Sequence, residues 1–224
     1  MASKHALIFL GAPGAGKGTQ AREVARLNSI QQISTGDMFR DHAARGTALG
    51  QQAKAIMERG ELVPDEVVCA MVEERIQQPD CAKGFILDGF PRTIGQAERL
   101  GTILAKSGWS APLVLNIDIA YDVLFRRLTG RRTCAVCGSI YNIYDRPPRV
   151  AGKCDKDGGE LTHRKDDQED VIRERLSTYE QQTKPLIAFY RSKGLLHDVD
   201  GSEAPERVLE KLRAILAEVG KGQA

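Results

Sequence analysis

The chain has 224 residues, of which 42% are hydrophobic and 28% are charged, and its formal net charge is +2. These proportions are typical of a globular enzyme with one good core, and they exclude a largely disordered chain. A net charge so close to zero excludes a global electrostatic field that recruits nucleic acid. The first apolar run ends at Gly11, too early for a signal peptide, and no run is long enough to span a membrane. We therefore expect a cytoplasmic protein with neither a nucleic-acid nor a membrane partner.

A glycine-rich loop joins the first predicted strand, Ala6–Leu10, to a predicted helix that begins at Thr19. The loop reads Gly11-Ala-Pro-Gly-Ala-Gly-Lys-Gly-Thr19. Strand, glycine loop and helix are the context of a phosphate-binding loop, in which backbone N–H groups, the helix N-terminus and a lysine meet the phosphates. The loop departs from the usual phosphate-loop pattern at one position. Gly18 stands where a serine or threonine is expected, and Thr19 follows it.

Four further apolar runs predict buried strands, and helical segments separate them. They are residues 32–34, 85–87, 113–117 and 195–199. Alternating strands and helices predict a parallel sheet of five strands with helices on both faces. Ligands of such sheets bind at the carboxyl ends of the strands, so the polar residues that follow each run are the candidates for a site.

The segment after the second strand reads Ser34-Thr-Gly-Asp-Met-Phe-Arg40. We expect Thr35 to cap the next helix and Arg40 to face the same edge of the sheet. A cap followed by a solvated arginine is the simpler alternative. Residues 41–63 are polar and helical, with few large apolar side chains, and this pattern predicts a small appendage without a core of its own.

The segment after the third strand reads Asp88-Gly-Phe-Pro-Arg-Thr93. An aspartate that closes an apolar strand beside a phosphate loop is the expected support for Mg²⁺. Gly89 allows a close approach of the backbone to a ligand, Arg92 can bind a phosphate with two N–H groups, and Gln96 offers an amide donor and acceptor. The alternative for Asp88 alone is a helix cap.

Five motifs together resemble the adenylate kinases, in the form with a long lid. They are residues 11–19, 34–38, 88–93, 130–132 and 164–168, in this order. The resemblance implies an α/β phosphate-loop fold of three layers and the Mg²⁺-dependent transfer of a phosphoryl group from ATP to AMP, giving two ADP. It also implies a core of residues 1–33, 64–129 and 168–224, an AMP-binding insertion at 34–63 and a mobile lid at 130–167.

The resemblance assigns roles to individual positions. The ATP-binding positions are Gly14, Ala15, Gly16, Lys17, Gly18, Thr19, Arg127, Arg131, Ser139, Ile140 and Tyr141. The AMP-binding positions are Thr35, Arg40, Glu61, Leu62, Val63, Gly89, Arg92, Gln96, Arg164 and Arg175. Asp37 and Asp88 hold Mg²⁺ through water. The catalytic cations are Lys17, Arg92, Arg131, Arg164 and Arg175. Charge neutralisation and positioning are what phosphoryl transfer requires of a protein, so this excess of arginine suits the chemistry.

Three of the five cysteines have the spacing of metal ligands. Two residues separate Cys134 from Cys137, and sixteen separate Cys137 from Cys154, with Asp157 in the fourth ligand position. This frame predicts a structural zinc site in the lid, and its alternative is three free thiols. Cys69 and Cys81 are isolated and are expected to be small buried hydrophobic residues.

Three other functions compete with transfer from ATP to AMP. A kinase of the UMP/CMP type shares the phosphate loop. A nucleotide-dependent switch needs a residue that orients water, and none is identifiable. The low net charge argues against the third function, a zinc-ribbon protein that binds nucleic acid. We expect a monomer whose partners are ATP, AMP and ADP.

Overall fold

The computed structural model describes residues 6–221, which form a five-stranded and a three-stranded sheet surrounded by helices. The strands are β1 Ala6–Leu10, β2 Gln31–Ser34, β3 Phe85–Asp88, β4 Leu113–Asp118, β5 Arg131–Cys134, β6 Ile140–Asn142, β7 Leu161–Thr162 and β8 Leu196–Asp200. The larger sheet is parallel with the order β2-β3-β1-β4-β8, and this confirms the predicted fold class. The phosphate-loop strand β1 therefore lies at its centre.

The helices follow the strands in alternation. They are α1 Lys17–Asn28, α2 Thr35–Ala44, α3 Ala48–Glu58, α4 Asp65–Ile76, α5 Ile94–Lys106, α6 Tyr121–Thr129, α7 Glu169–Thr178, α8 Pro185–Ser192 and α9 Pro205–Lys221. A π-helical turn, Tyr179–Thr183, joins α7 to α8 just before Pro185, which has no N–H for a regular helical hydrogen bond. Within residues 6–221, no helix combines the length and apolar character that a membrane span needs.

The sheet buries a separate apolar cluster on each face. Ile8 and Leu10 of β1 point to one cluster and Leu7 and Phe9 to the other, as the alternation of side chains along a strand requires. Helices α2–α5 and α8 supply the first cluster, and α1, α6, α7 and α9 supply the second. The three layers hold the carboxyl ends of the strands rigidly at one edge.

The segment 41–63 differs from the expectation of an appendage without a core. Ala53 of α3 and Val63 after it are buried in the first apolar cluster, and Leu49, Ile56 and Met57 pack against it. The sequence interpretation underestimated these side chains because small and medium residues spaced along a helix bury well against a neighbour. The two helices α2 and α3 are thus part of the wall of the cleft.

The three-stranded sheet forms a separate small layer, which we call the β-insertion (residues 130–167). Its strands are antiparallel, with β5 between β6 and β7. Its buried apolar cluster consists of Cys134, Tyr141, Cys154 and Leu161. Two of these four are candidate metal ligands, so little apolar area remains to hold the β-insertion together.

Candidate active site

The phosphate loop ends at the N-terminus of α1. Gly14 and Gly16 have φ values of 87° and 94°, a conformation that residues with a Cβ rarely adopt. Gly18 has a different reason to be glycine, because a Cβ at this position would lie 3.0 Å from Asp88 Oδ2. The unusual glycine in the motif therefore leaves room for the carboxylate at the end of β3.

Lys17 is held inside its own loop. Its Nζ donates to the carbonyl oxygens of Gly11 and Ala12 at 2.7 and 2.9 Å. Burial, together with the nearby guanidinium groups, lowers the pKa of Lys17 to about 8, and the attraction of Asp88 opposes this shift. The ammonium thus lies among other positive charges, and an anionic ligand would offset the repulsion between them.

A cavity of about 910 Å³ lies at the carboxyl edge of the sheet, and all of the predicted cations line it. The cations that line it are Lys17, Arg22, Arg40, Arg92, Arg126, Arg127, Arg131, Arg146, Arg164 and Arg175. Burial and neighbouring guanidinium groups lower the pKa values of Arg92 and Arg164 to about 10. Such a concentration of desolvated positive charge is suited to a ligand with several phosphates.

Two aspartates orient the arginines, and the sequence interpretation gave them no role. Arg131 binds the buried Asp167 with Nε and Nη2 at 2.7 and 2.5 Å. Arg175 reaches the same carboxylate at 2.8 Å and the carbonyl oxygen of Asp166 at 2.7 Å. The sequence did offer a signal for these two aspartates. They lie in the motif at 164–168 beside Arg164, and acidic residues next to a phosphate-binding arginine can orient guanidinium groups.

Asp88 and Asp37 both line the cavity, in different electrostatic surroundings. Burial raises the pKa of Asp88, although Lys17 opposes this and Gln32 Nε2 donates to its Oδ2 at 3.2 Å. Burial also acts to raise the pKa of Asp37, but the Arg40 guanidinium outweighs it and the net shift is downward. Carboxylate oxygens are ligands that suit Mg²⁺, directly or through water, so this pair fits that ion.

A second cavity of about 40 Å³ lies between α2, α4, α5 and the segment that joins α3 to α4. Its lining includes the predicted positions Thr35, Glu61, Leu62, Val63, Gly89, Arg92 and Gln96. The prediction that Thr35 caps α2 is wrong, since Ser34 is the cap and accepts from the Asp37 N–H at 3.3 Å. Thr35 instead donates its hydroxyl to the Gly89 carbonyl oxygen at 2.9 Å, which joins α2 to the loop after β3.

The predicted ATP positions beyond the phosphate loop are only partly brought together. Arg127 lines the large cavity and donates to the Gly201 carbonyl oxygen at 3.1 Å, and Ile140 and Tyr141 line the cavity from the β-insertion. Ser139 is buried in the turn before β6, where its hydroxyl oxygen lies 3.1 Å from Cys137 Sγ. The structure places Ser139 nearer to the cysteine cluster than to the cleft.

The four predicted metal ligands do come together. The ligand atoms of Cys134, Cys137, Cys154 and Asp157 lie within 4.8 Å of one another. Cys137 Sγ is 3.7 Å from Cys154 Sγ, and Cys134 Sγ is 3.3 Å from Asp157 Oδ1. Around a tetrahedral zinc ion, such sulfur–sulfur and sulfur–oxygen distances are about 3.8 and 3.5 Å. The donor set and its spacing fit a zinc ion.

Groups around the cluster also suit thiolate ligands. The backbone N–H groups of Val136 and Cys137 point at Cys134 Sγ at 3.4 and 3.5 Å. The Tyr141 hydroxyl lies 3.5 Å from Cys154 Sγ and accepts from the Asp155 N–H at 2.8 Å. Such outer contacts orient metal ligands and stabilise their negative charge.

Comparison with known proteins agrees with this geometry. The family model for adenylate kinase matches residues 9–195. The adenylate kinase of Thermodesulfovibrio yellowstonii is 55% identical over 94% of this chain and 98% of its own length. Those of Archaeoglobus fulgidus and Moorella thermoacetica are 53% and 51% identical, over 95% and 91% of this chain and 98% and 94% of their own lengths. The chain belongs to the adenylate kinase family of phosphotransferases.

Proposed function

We propose that this chain catalyses the reversible, Mg²⁺-dependent transfer of the γ-phosphoryl group of ATP to AMP, giving two ADP, and so balances the adenine nucleotides. The supporting observation is the arrangement of the cleft. The phosphate loop borders the larger cavity, and Arg92 and Gly89 border both the larger and the smaller one. The other guanidinium groups line the larger cavity. Two nucleotides placed end to end would bring their phosphates together among these cations.

The donor nucleotide would lie along the phosphate loop. The backbone N–H groups of residues 14–19 and the N-terminus of α1 bind its phosphates, with Lys17 at the β- and γ-phosphates. The Arg127 guanidinium offers a flat surface on which the base can stack. Ile140 and Tyr141 cover the nucleotide from the β-insertion, and Ser139 contributes through the turn that positions them.

The base of the acceptor nucleotide would lie at the smaller cavity, with its phosphate in the larger one. Arg40 and Arg92 bind its phosphate, and Gln96 faces the edge of its base. Thr35, Gly89 and the segment from Glu61 to Val63 form the walls of this pocket. An acceptor phosphate held by Arg92 would point toward the arginine cluster, where the transfer takes place.

The catalytic contribution of the protein is the stabilisation of charge on the transferring group. Arg131, Arg164 and Arg175 converge from the β-insertion and α7, and Asp167 holds two of them in place before any ligand binds. Such preorganised cations cost little reorganisation in the transition state. When bound, Mg²⁺ neutralises charge on the phosphates, and Asp37 and Asp88 would hold it through water.

We further propose that the β-insertion acts as a lid, that residues 34–63 form the AMP-binding part, and that the remaining residues form the core. Water next to the γ-phosphate would hydrolyse it, so a closing lid serves the transfer. We assign a structural zinc ion to Cys134, Cys137, Cys154 and Asp157, since four protein ligands leave no open position for chemistry. A monomer in the cytoplasm remains a prediction.

The test is a set of initial rates with Mg²⁺-ATP and each of AMP, CMP, UMP and GMP, with product analysis. We expect AMP to be preferred and two ADP to form per turnover. Omission of Mg²⁺ is the control, because a chelator would also remove zinc. A preference for UMP or CMP would instead support the pyrimidine-type kinase, and hydrolysis of ATP without any transfer would contradict the proposal.

A further inference from the structure

Three residues form a hydrogen-bonded chain between α4 and α5, beside the smaller cavity. Gln96 Nε2 donates to Asp65 Oδ1 at 2.7 Å, and the Thr93 hydroxyl donates to Asp65 Oδ2 at 2.7 Å. Thr93 is itself fixed, since it caps α5 by accepting from the Gln96 N–H at 3.1 Å. Both oxygens of the Asp65 carboxylate are therefore engaged, and its orientation is set.

The other end of the Gln96 amide has a partner of opposite polarity. Its Oε1 accepts from the backbone N–H of Arg92 at 2.7 Å. An ionised carboxylate only accepts hydrogen bonds and a backbone N–H only donates them. Rotation of the amide by half a turn would place Oε1 against Asp65 and Nε2 against the Arg92 N–H, so both contacts would become repulsive. The amide of Gln96 therefore has one stable orientation.

The orientation decides which groups Gln96 has left for a ligand. One N–H of Nε2 and one lone pair of Oε1 remain after the contacts to Asp65 and Arg92 are counted. Gln96 is only 1% exposed, and it borders the cavity together with Leu62, Val63 and Val68. The side chains of these three neighbours are apolar, so on this wall of the cavity Gln96 is the side chain that can form hydrogen bonds with a base.

A 6-aminopurine and a 6-oxopurine present opposite patterns to this amide. Adenine has an acceptor at N1 and a donor at its amino group, whereas hypoxanthine has a donor at N1 and an acceptor at O6. A glutamine that is free to rotate can serve either base. A glutamine held in one orientation can serve only one of them, because the other base would face two contacts of like polarity.

We propose that Asp65 is a specificity-determining positioning residue, which fixes the amide of Gln96 so that the acceptor site takes a 6-aminopurine monophosphate and rejects a 6-oxopurine monophosphate. This inference rests on the proposed function, because it assumes that the base of the acceptor lies against Gln96. It extends that function by naming the residue that selects between two bases of the same size and shape.

The variant Asp65→Asn tests this inference. An asparagine can turn either its oxygen or its nitrogen toward Gln96, so one of the two constraints on the amide is lost while the side-chain shape is kept. We expect the ratio of kcat/KM for AMP to kcat/KM for IMP, each with Mg²⁺-ATP, to fall by about tenfold or more, since a hydrogen bond to a charged group is lost. The matched control is Glu66→Gln, an exposed acid on the same turn of α4, which should leave the ratio unchanged.

A purely structural role for Asp65 predicts a different result. The variant would then lose thermal stability, and its kcat/KM values for AMP and IMP would fall together. A ratio within twofold of the unmodified protein would overturn the inference, and Asp65→Ala serves as the second variant if Asp65→Asn does not fold. Calorimetric binding of AMP and IMP without ATP separates the two proposals. Absence of transfer to AMP contradicts the proposed function, whereas unchanged relative binding of AMP and IMP contradicts only the role of Asp65.

Discussion

Each face of the parallel sheet buries a large apolar cluster, whereas the β-insertion buries a cluster of four side chains, two of them cysteines of the candidate metal site. The cleft also differs from both, because charged side chains line it: Lys17 and the arginines crowd together there with carboxylates such as Asp37, Asp88 and Asp166. Buried apolar area can hold the core without any ligand, but it is too small to hold the β-insertion. From this comparison we expect the core to be stable alone, the β-insertion to depend on metal ligation, and the cleft to be stabilised by anionic ligands.

The largest expected effect comes from the cleft. Lys17→Met should lower the rate of phosphoryl transfer by about a hundredfold to a thousandfold, as expected for the loss of a preorganised group at the developing charge. Its thermal midpoint should be unchanged or raised, because burial of this ammonium disfavours the charged form and lowers its pKa to about 8. Steady-state kinetics and thermal melting measure both quantities.

Lys54→Met is the control for Lys17→Met, since Lys54 is exposed on α3. Near-normal turnover of a folded Lys17→Met protein would contradict the role of the phosphate loop. A large fall in its thermal midpoint would instead contradict the view that this charge serves ligand binding rather than folding.

The next effect concerns the β-insertion. Purified protein should contain one zinc ion, and Cys134→Ser should lose it and melt in two steps, with the β-insertion first. Transfer from ATP to AMP should largely survive at low temperature, because a closed four-ligand site is structural. Elemental analysis and differential scanning calorimetry provide the measurements.

Cys69→Ala is the matched control, because Cys69 is buried in the apolar core and far from the ligand set in sequence. It should keep the zinc ion and lower the stability of the core alone. Metal-replete protein without zinc would refute the site, and complete loss of activity in a folded, metal-free protein would refute its structural role.

A smaller effect separates the two nucleotide sites within the cleft. Arg92→Ala should raise the KM for AMP about tenfold or more, as expected for a lost charge-assisted hydrogen bond, and should change the KM for ATP much less. Arg99→Ala on the exposed side of α5 is the control. An effect confined to the KM for ATP would place Arg92 at the donor nucleotide instead.

The smallest effect links the core to the β-insertion. Arg22 of α1 donates to the carbonyl oxygen of Gly138, beside the cysteine cluster, at 3.2 Å. Arg22→Ala should therefore raise the KM for ATP about threefold to fivefold by weakening this contact, with kcat unchanged. The control is Arg26→Ala, one turn further along α1, where the guanidinium is exposed and pairs with Glu23. Equal effects of both variants would mean that net charge, not the contact, is responsible.

Much of this architecture was predictable from local sequence patterns. The sequence patterns predicted the five strands of the parallel sheet to within one residue at each end. The central strands β1, β3 and β4 gave the clearest pattern, because a strand buried on both faces is a nearly continuous apolar run. The phosphate loop and the cysteine spacing were predictable for a similar reason. Their chemistry is carried by neighbouring residues whose geometry is fixed by a turn.

Other features depended on contacts between distant segments. The sequence placed Thr35 as the cap of α2, but the cap is Ser34, since both neighbours have suitable side chains and only the course of the backbone selects one. It also underestimated α3, whose modest apolar side chains are buried because α2 packs beside them and the first apolar cluster takes them in. Neither outcome is visible in the periodicity of the segment itself.

By itself, the sequence determined the strands, the phosphate loop and the grouping of three cysteines with one aspartate, because each depends on residues that are close along the chain. Only the tertiary structure decided how the charged and polar groups pair. Asp167 binds Arg131 across 36 positions, and Asp65 binds Gln96 across 31. Such pairs leave no periodic trace in the sequence, because their partners meet only after the sheet has brought separate helices and loops to one edge.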